Sequence, residues 1–305
     1  MKTLSTNAPV SNELRFPRSP YVRVQYDREH QLVWASMGHP ERPCMTPELI
    51  RELTRVQKTI EDRARSELER ERPDRLLFQV LASDLPGVFN LGGDLAHFLD
   101  VIRRRDRATL YEYAKACIDT LYPSSIAYGL PFTTISLVQG QALGGGFEAA
   151  LCGNVLIAER QATFGFPESL FGMFPGMGAY SFLARRLSPG QAKRIITSGK
   201  VYAAEELYEL GLIDVLAPDG EGRRAVLDYV KQQNYRIAGH HGFQQAIDRV
   251  HPISYEELLD ITNIWVDTAM QLTDTNLRRM EYLLRAQERR WGGQPLPQVA
   301  QQLAG

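Results

Sequence analysis

The sequence predicts an α/β fold with a helical C-terminal region. Short apolar runs recur, and each is followed by a glycine turn and a helical pattern: Leu76 to Ala82 leads to Gly92-Gly93, and Thr134 to Val138 leads to Gly144-Gly145-Gly146. From about Arg223 onward the pattern is helical. A chain of 305 residues with 44% hydrophobic residues can bury a full core, as one large domain with an appendage.

Taken in order, residues 1–19 read as a loose N-terminal arm, broken by Pro9 and Pro17. Tyr21 to Tyr26 alternates apolar and polar as a half-buried strand does, and Gln31 to Met37 predicts a second strand. Pro40, Pro43 and Pro47 precede a long charged helix, roughly Pro47 to Arg72, with Leu49, Leu53, Val56 and Ile60 as its apolar stripe. Leu76 to Ala82 reads as a buried parallel strand, and Leu95 to Arg103 as the helix after the Gly92-Gly93 turn. The next segment is helical in pattern and carries the basic cluster Arg103-Arg-Arg-Asp-Arg107, a solvated face or a docking surface for an acidic carrier. Helices are predicted at Ser188–Ile196 and Leu207–Leu210, and a short strand at Gly211–Leu216. The last helices are Arg223–Ala238, Ser254–Met270 and Asp274–Trp291, with Trp265, Leu272, Leu277 and Leu283 apolar enough to face a cavity or a neighbour. The organisation is therefore arm 1–19, core 20–222 and C-terminal helical region 223–305, whose tail after Gly292 is loosely held.

Composition narrows the class. Thirty-five basic residues balance thirty-six acidic ones, which argues against a nucleic-acid binder. Cys44, Cys117 and Cys152 lack metal-ligand spacing, so no metal is expected, and an odd count points to a reducing compartment with the thiols as small core residues. No apolar run is long enough to span a bilayer, and the first twenty residues have no apolar signal core, so a cytoplasmic location without membrane insertion is expected.

The central stretch, Val138 to Phe182, carries the chemistry. A strand, three glycines and a helix start allow close backbone approach to a ligand, and the free N–H groups there favour negative charge. Glu148 lies two residues past the last glycine. Twenty residues on, Glu168 follows Pro167 among Phe164, Phe166, Leu170, Phe171, Met173 and Phe174. Two carboxylates in apolar surroundings should have raised and unequal pKa values, which supplies an acid and a base near neutral pH. Either feature alone reads more simply as a packing device or a solvated side chain. Together with the turn Phe174-Pro-Gly-Met-Gly178 they form a pattern.

That pattern resembles the crotonase (enoyl-CoA hydratase/isomerase) superfamily over roughly Leu32 to Pro218. The wording GQALGGGFEAAL and FPESLFGMFPGMGAYSFLARR is similar to the bacterial diffusible-signal-factor synthases. A typical hydratase carries a Gly-Gly-Thr-Gln-Arg-like run where this chain has Gly178-Ala-Tyr-Ser-Phe182. The resemblance implies a ββα spiral core, Glu148 and Glu168 as the catalytic pair, and the Gly93 and Gly145 N–H groups as holders of a thioester oxygen. It also implies C-terminal helices that cover the site and join a trimer or a dimer of trimers, with Trp265 and Leu283 at the positions that contact a medium-length acyl chain. The implied reaction is dehydration of a 3-hydroxyacyl chain on acyl carrier protein, followed by thioester hydrolysis to a free cis-2-enoic signal acid. No cofactor is needed beyond the carrier-protein or coenzyme A thioester. Regulation by a sensor kinase is left open. The alternatives are an enoyl-CoA hydratase/isomerase of fatty-acid oxidation and a non-catalytic binding protein on the same fold, against which the retention of both glutamates argues.

Overall fold

The computed structural model describes residues 18–291, so nearly all of the predicted arm 1–19 and the tail after Gly292 lie outside the described residues. Two sheets carry the fold. The larger has the order β1 (Val22–Asp27), β2 (Leu32–Met37), β3 (Phe78–Ser83), β5 (Thr133–Val138), β7 (Val155–Glu159) and β10 (Val215–Ala217). It is parallel apart from the β1–β2 hairpin at its edge. The smaller has the order β4 (Val88–Asn90), β6 (Gln141–Leu143), β8 (Thr163–Gly165) and β9 (Val201–Ala203).

Successive strands alternate between the sheets before each helix. β3 and β4 lead to α2 (Leu95–Arg103); β5 and β6 lead to α4 (Gly145–Leu151); β7 and β8 lead to the 3₁₀ turn Pro167–Phe171 and α5 (Ala179–Ala184). This is the ββα spiral in outline. The central strands β2, β3, β5 and β7 are buried almost throughout, as their unbroken apolar runs require when both faces of a parallel sheet are covered. α1 (Pro47–Glu69) and α3 (Arg107–Ser125) pack together, and Leu49, Leu53, Val56 and Ile60 of α1 are all buried. The other face of the large sheet is closed by α8 (Gly222–Asn234), whose Val226 and Val230 join Trp34, Val80, Ile135 and Ile157.

Some predicted elements differ in extent. Between residues 211 and 216 only Val215 and Leu216 belong to a strand; Leu212 and Ile213 are buried in the turn before it. The helix predicted at Arg223–Ala238 breaks at Tyr235-Arg236, and a further helix, α9 (Ile237–Val250), follows it. α6 (Pro189–Thr197) and α7 (Ala204–Glu209) fall close to their predicted positions. So do α10 (Tyr255–Ala269) and α11 (Asp274–Trp291), which lie across α3 and α2 respectively. Because α8 packs on the large sheet while α10 and α11 do not, the segment from 223 onward serves two different faces of the molecule.

Candidate active site

Strand order in the small sheet assembles the site. β4, β6 and β8 lie side by side and parallel, so the segments that follow their C-terminal ends are neighbours. Those segments are Gly92-Gly93, Gly144-Gly145-Gly146 and Pro167-Glu168. Sequence-distant motifs thereby meet at one cavity, lined by Gly93, Gly145, Glu148 and Glu168 together.

The two glycine turns fit against each other with no room to spare. Gly92 has φ +102° and Gly144 φ +49°, conformations that glycine adopts at little cost. A Cβ on Gly146 would lie 2.1 Å from the carbonyl oxygen of Asn90, and one on Gly145 would lie 3.5 Å from the Gly93 nitrogen. Asn90 is fully buried and its Oδ1 accepts the Gly92 N–H at 2.8 Å, which fixes the entry to the first turn. Among the described residues no protein acceptor takes the Gly93 or Gly145 N–H. Both residues line the same cavity, so their unpaired amides are candidates for holding negative charge there.

Glu148 stands in the first turn of α4 and is 1% exposed. Its Oε1 accepts the N–H of Met177, in the Phe174-to-Gly178 turn, at 2.6 Å and that of Ala179, the first residue of α5, at 3.0 Å. Burial and the facing charge of Glu168 nevertheless push its pKa up to about 8. Glu168, in the 3₁₀ turn, keeps part of its surface open to the cavity, while its Oε2 is buried without a hydrogen-bond partner. Burial raises its pKa to about 7. Desolvation thus exceeds the backbone hydrogen bonding that would favour the charged forms. Near neutral pH the pair holds one proton more readily than none, which suits an acid and a base acting together.

The cavity has a volume of about 130 Å³, against about 10 Å³ for the neighbouring recess beside Arg42, Asp94 and Glu288. Its walls are helix faces: Leu95, Phe98 and Ile102 of α2, Trp265 and Ala269 of α10, and Met280, Leu283 and Gln287 of α11. Trp265 and Leu283 therefore both reach it, whereas Leu272 and Leu277 are buried in the core beside it. Trp265 packs edge-on to Phe98 at 5.3 Å, and Gly176 is small because a Cβ there would meet the Trp265 ring at 2.3 Å. The spacing Leu95, Phe98, Ile102 is a helical face legible in the sequence; Asn90, Met177 and Gln287 carried no such signal.

The arginines of the basic cluster are exposed, and three of them also reach the C-terminal helices. Arg103 pairs with Glu281, the Arg105 guanidinium donates to the Met270 carbonyl at 2.5 Å, and Arg107 donates to Asp267 at 2.7 Å and Asn263 at 3.3 Å. Arg104 pairs within its own helix with Asp100. Three of the four arginines thus tie the α2–α3 junction to the C-terminal helices. Cys44, Cys117 and Cys152 are buried free thiols, as expected of small core residues.

This fold and site define an α/β chain with a two-amide, two-carboxylate cavity under helical cover. The family model for enoyl-CoA hydratase/isomerase matches residues 43–286, and the chain belongs to that family. The probable enoyl-CoA hydratase 2 of Arabidopsis thaliana mitochondria is 30% identical over 155 residues, 51% of this chain and 49% of that protein. The chain thus spans about half the length of this curated relative. Among solved structures, enoyl-CoA hydratase from Bacillus halodurans superposes with a TM-score of 0.70 at 21% identity, covering 86% of this chain and 99% of the other. Human mitochondrial delta3-delta2-enoyl-CoA isomerase gives 0.70 at 18%, covering 88% and 98%. Pseudomonas aeruginosa DspI gives 0.61 at 22%, covering 92% and 97%. These likenesses establish the crotonase fold. No helix among the described residues is long and apolar enough to cross a membrane.

Proposed function

We propose that the chain dehydrates a 3-hydroxyacyl thioester on acyl carrier protein to the cis-2-enoyl thioester and then hydrolyses it, releasing a free cis-2-enoic acid of the diffusible-signal-factor type. The observation that carries this reading is the apolar cavity that leads from the two carboxylates between α2, α10 and α11, with Trp265 and Leu283 in its wall. A medium-length acyl chain gains about 0.8 kcal/mol for each methylene buried there.

Glu168, whose pKa lies near 7, takes the α-proton as a carboxylate, and negative charge moves onto the thioester oxygen between the Gly93 and Gly145 N–H groups. Glu148, protonated at neutral pH, gives its proton to the departing 3-hydroxyl, which leaves as water. The Met177 and Ala179 N–H groups hold Oε1 of Glu148, so its proton sits on Oε2. For hydrolysis a carboxylate takes a proton from water, the hydroxide adds to the thioester carbon, and the tetrahedral oxyanion occupies the same two-amide site. Carbon–sulfur cleavage then releases the carrier thiol, protonated by the partner carboxyl. No step calls for a metal or a redox group. Carrier delivery, homotrimer or dimer-of-trimers assembly, regulation by a sensor kinase and a cytoplasmic location belong to the same proposal.

Family membership favours a second reading, reversible hydration of trans-2-enoyl-CoA, which the same two glutamates would serve. The segment Gly178-Ala-Tyr-Ser-Phe182, in place of a Thr-Gln-Arg-like run, favours the first. Fatty acids released into the medium by cells expressing the chain distinguish them. Accumulation of a cis-2-enoic acid is expected, and its absence while trans-2-enoyl-CoA is hydrated would favour the second.

A further inference from the structure

The arginine cluster and the cavity wall belong to one device. α2 starts beside Gly93 and runs away from it, so Ile102 lies about 10 Å further along than Leu95 at 1.5 Å rise per residue. Two contacts fix α11 antiparallel to it. Gln287 Nε2 donates to the Leu91 carbonyl at 3.0 Å, next to the Gly92-Gly93 turn, and Glu281 pairs with Arg103 at the other end of α2. Met280 therefore stands at the end of the cavity away from the Gly92-Gly93 turn, where the start of α11 packs on the Pro167–Phe171 segment. α10 ends there too, because its last turn is held by Arg105 at Met270 and by Arg107 at Asp267. Ala269, one turn beyond Trp265 on the same helix face, is completely buried and lines this end with Ile102 and Met280.

We propose that Ile102, Ala269 and Met280 form the stop that sets the longest acyl chain the cavity takes, and that Arg103, Arg105 and Arg107 hold this stop closed. The small side chain at 269 leaves room at the end of the cavity, and the flanking Ile102 and Met280 bound it. The arginines lie outside the cavity and are substantially exposed, so each contact contributes little to folding. Their common destination is what gives them a role: all three cross from the α2–α3 junction to the two helices that roof the far end. The inference rests on the proposal that this cavity receives the acyl chain, and not on which reaction follows.

Binding separates the two. Dissociation constants of saturated acyl-CoA thioesters, from about six to about sixteen carbons, are measured by titration calorimetry with the full chain, since each added methylene in an apolar pocket changes affinity severalfold. Wild type should gain affinity with length up to a limit and then lose it. Ala269→Leu should lower the ratio of long-chain to short-chain affinity at least about tenfold, the effect of filling one to three methylenes of space. Ile102→Ala should move the limit to longer chains, and it decides the matter if the leucine variant fails to fold. Replacing Arg103, Arg105 and Arg107 together by Ala should blur the limit, so that chains beyond it bind. An unchanged length profile in Ile102→Ala and in any folded Ala269→Leu protein would overturn the stop; an unchanged limit in the triple variant would overturn the closing role of the arginines. Dehydration and hydrolysis of 3-hydroxyacyl thioesters by wild type are measured separately, so loss of the proposed reaction leaves the length profile readable.

Discussion

Gly144 leaves the space that the Glu168 carboxylate fills: a Cβ at position 144 would lie 2.5 Å from Glu168 Oε1. The third turn of the spiral thus presses its carboxylate onto the second, and the glycine serves geometry as well as backbone conformation, its φ being +49°. Gly144→Ala should displace Glu168 and strain the turn by about 1–3 kcal/mol. Turnover should fall at least about tenfold, more than the loss of folded protein explains. Activity and thermal melting of the same preparation check this. An alanine variant of normal activity would show that Glu168 need not occupy that position.

Glu148→Gln keeps a carbonyl oxygen for the Met177 and Ala179 N–H groups, and should fold while losing at least about a hundredfold in dehydration. Glu168→Gln should lose as much. Steady-state rates on a 3-hydroxyacyl thioester decide it, and near-wild-type rates in either variant would remove that residue from the chemistry.

Much of this pair was legible in the chain before any fold was known. The glycine turns, the Pro167-Glu168 step and the apolar neighbours mark a site because few other uses exist for such residues together. The four strands of the small sheet were mostly invisible, since three-residue strands such as Gln141–Leu143 have too little periodicity to read. α9 was missed for a different reason. Gly239 and Gly242 lower its helix propensity, and although Phe243, Ile247 and Val250 stand at helical spacing they face solvent, so packing on the core does not reinforce that pattern. The partners of Arg103, Arg105 and Arg107 lie some 160 residues or more away in sequence, and charge pattern alone cannot name them.

Both carboxyls have pKa values raised above the ordinary 4.5, to about 8 for Glu148 and about 7 for Glu168, chiefly by burial. One ionised and one protonated group should give a bell-shaped pH–rate profile with apparent limits near 7 and 8 that belong to the pair. Between about 4.5 and the folded-state values the native protein binds more protons than the unfolded chain, so this contribution to stability is full below 4.5 and is lost as pH rises through 7 to 8. Glu148→Gln should therefore flatten the fall in melting temperature between pH 5 and pH 8. A slope equal to that of wild type would mean that the carboxyl is ionised in the folded protein well below neutrality.

The amides at 93 and 145 act through the backbone, so proline is the informative substitution. At 145, the first residue of α4, proline removes the N–H at a backbone position that suits it, but it also strains the turn, since a Cβ there would lie 2.7 Å from Met177 Sδ. Loss of one such donor costs on the order of 3 kcal/mol in the barrier. Dehydration and hydrolysis should fail together in Gly93→Pro and Gly145→Pro proteins that remain folded by circular dichroism. Hydrolysis that survives the loss of dehydration would place the two steps at different sites.

The central claim is that one cavity performs elimination and then thioester cleavage on a medium-length chain. Purified protein is incubated with 3-hydroxyacyl carrier protein of about ten to twelve carbons, a length whose methylenes the apolar cavity stabilises, and products are followed by mass spectrometry and double-bond geometry. The account predicts a free cis-2-enoic acid together with free carrier thiol. Reversible hydration of trans-2-enoyl-CoA with no thioester cleavage would contradict it.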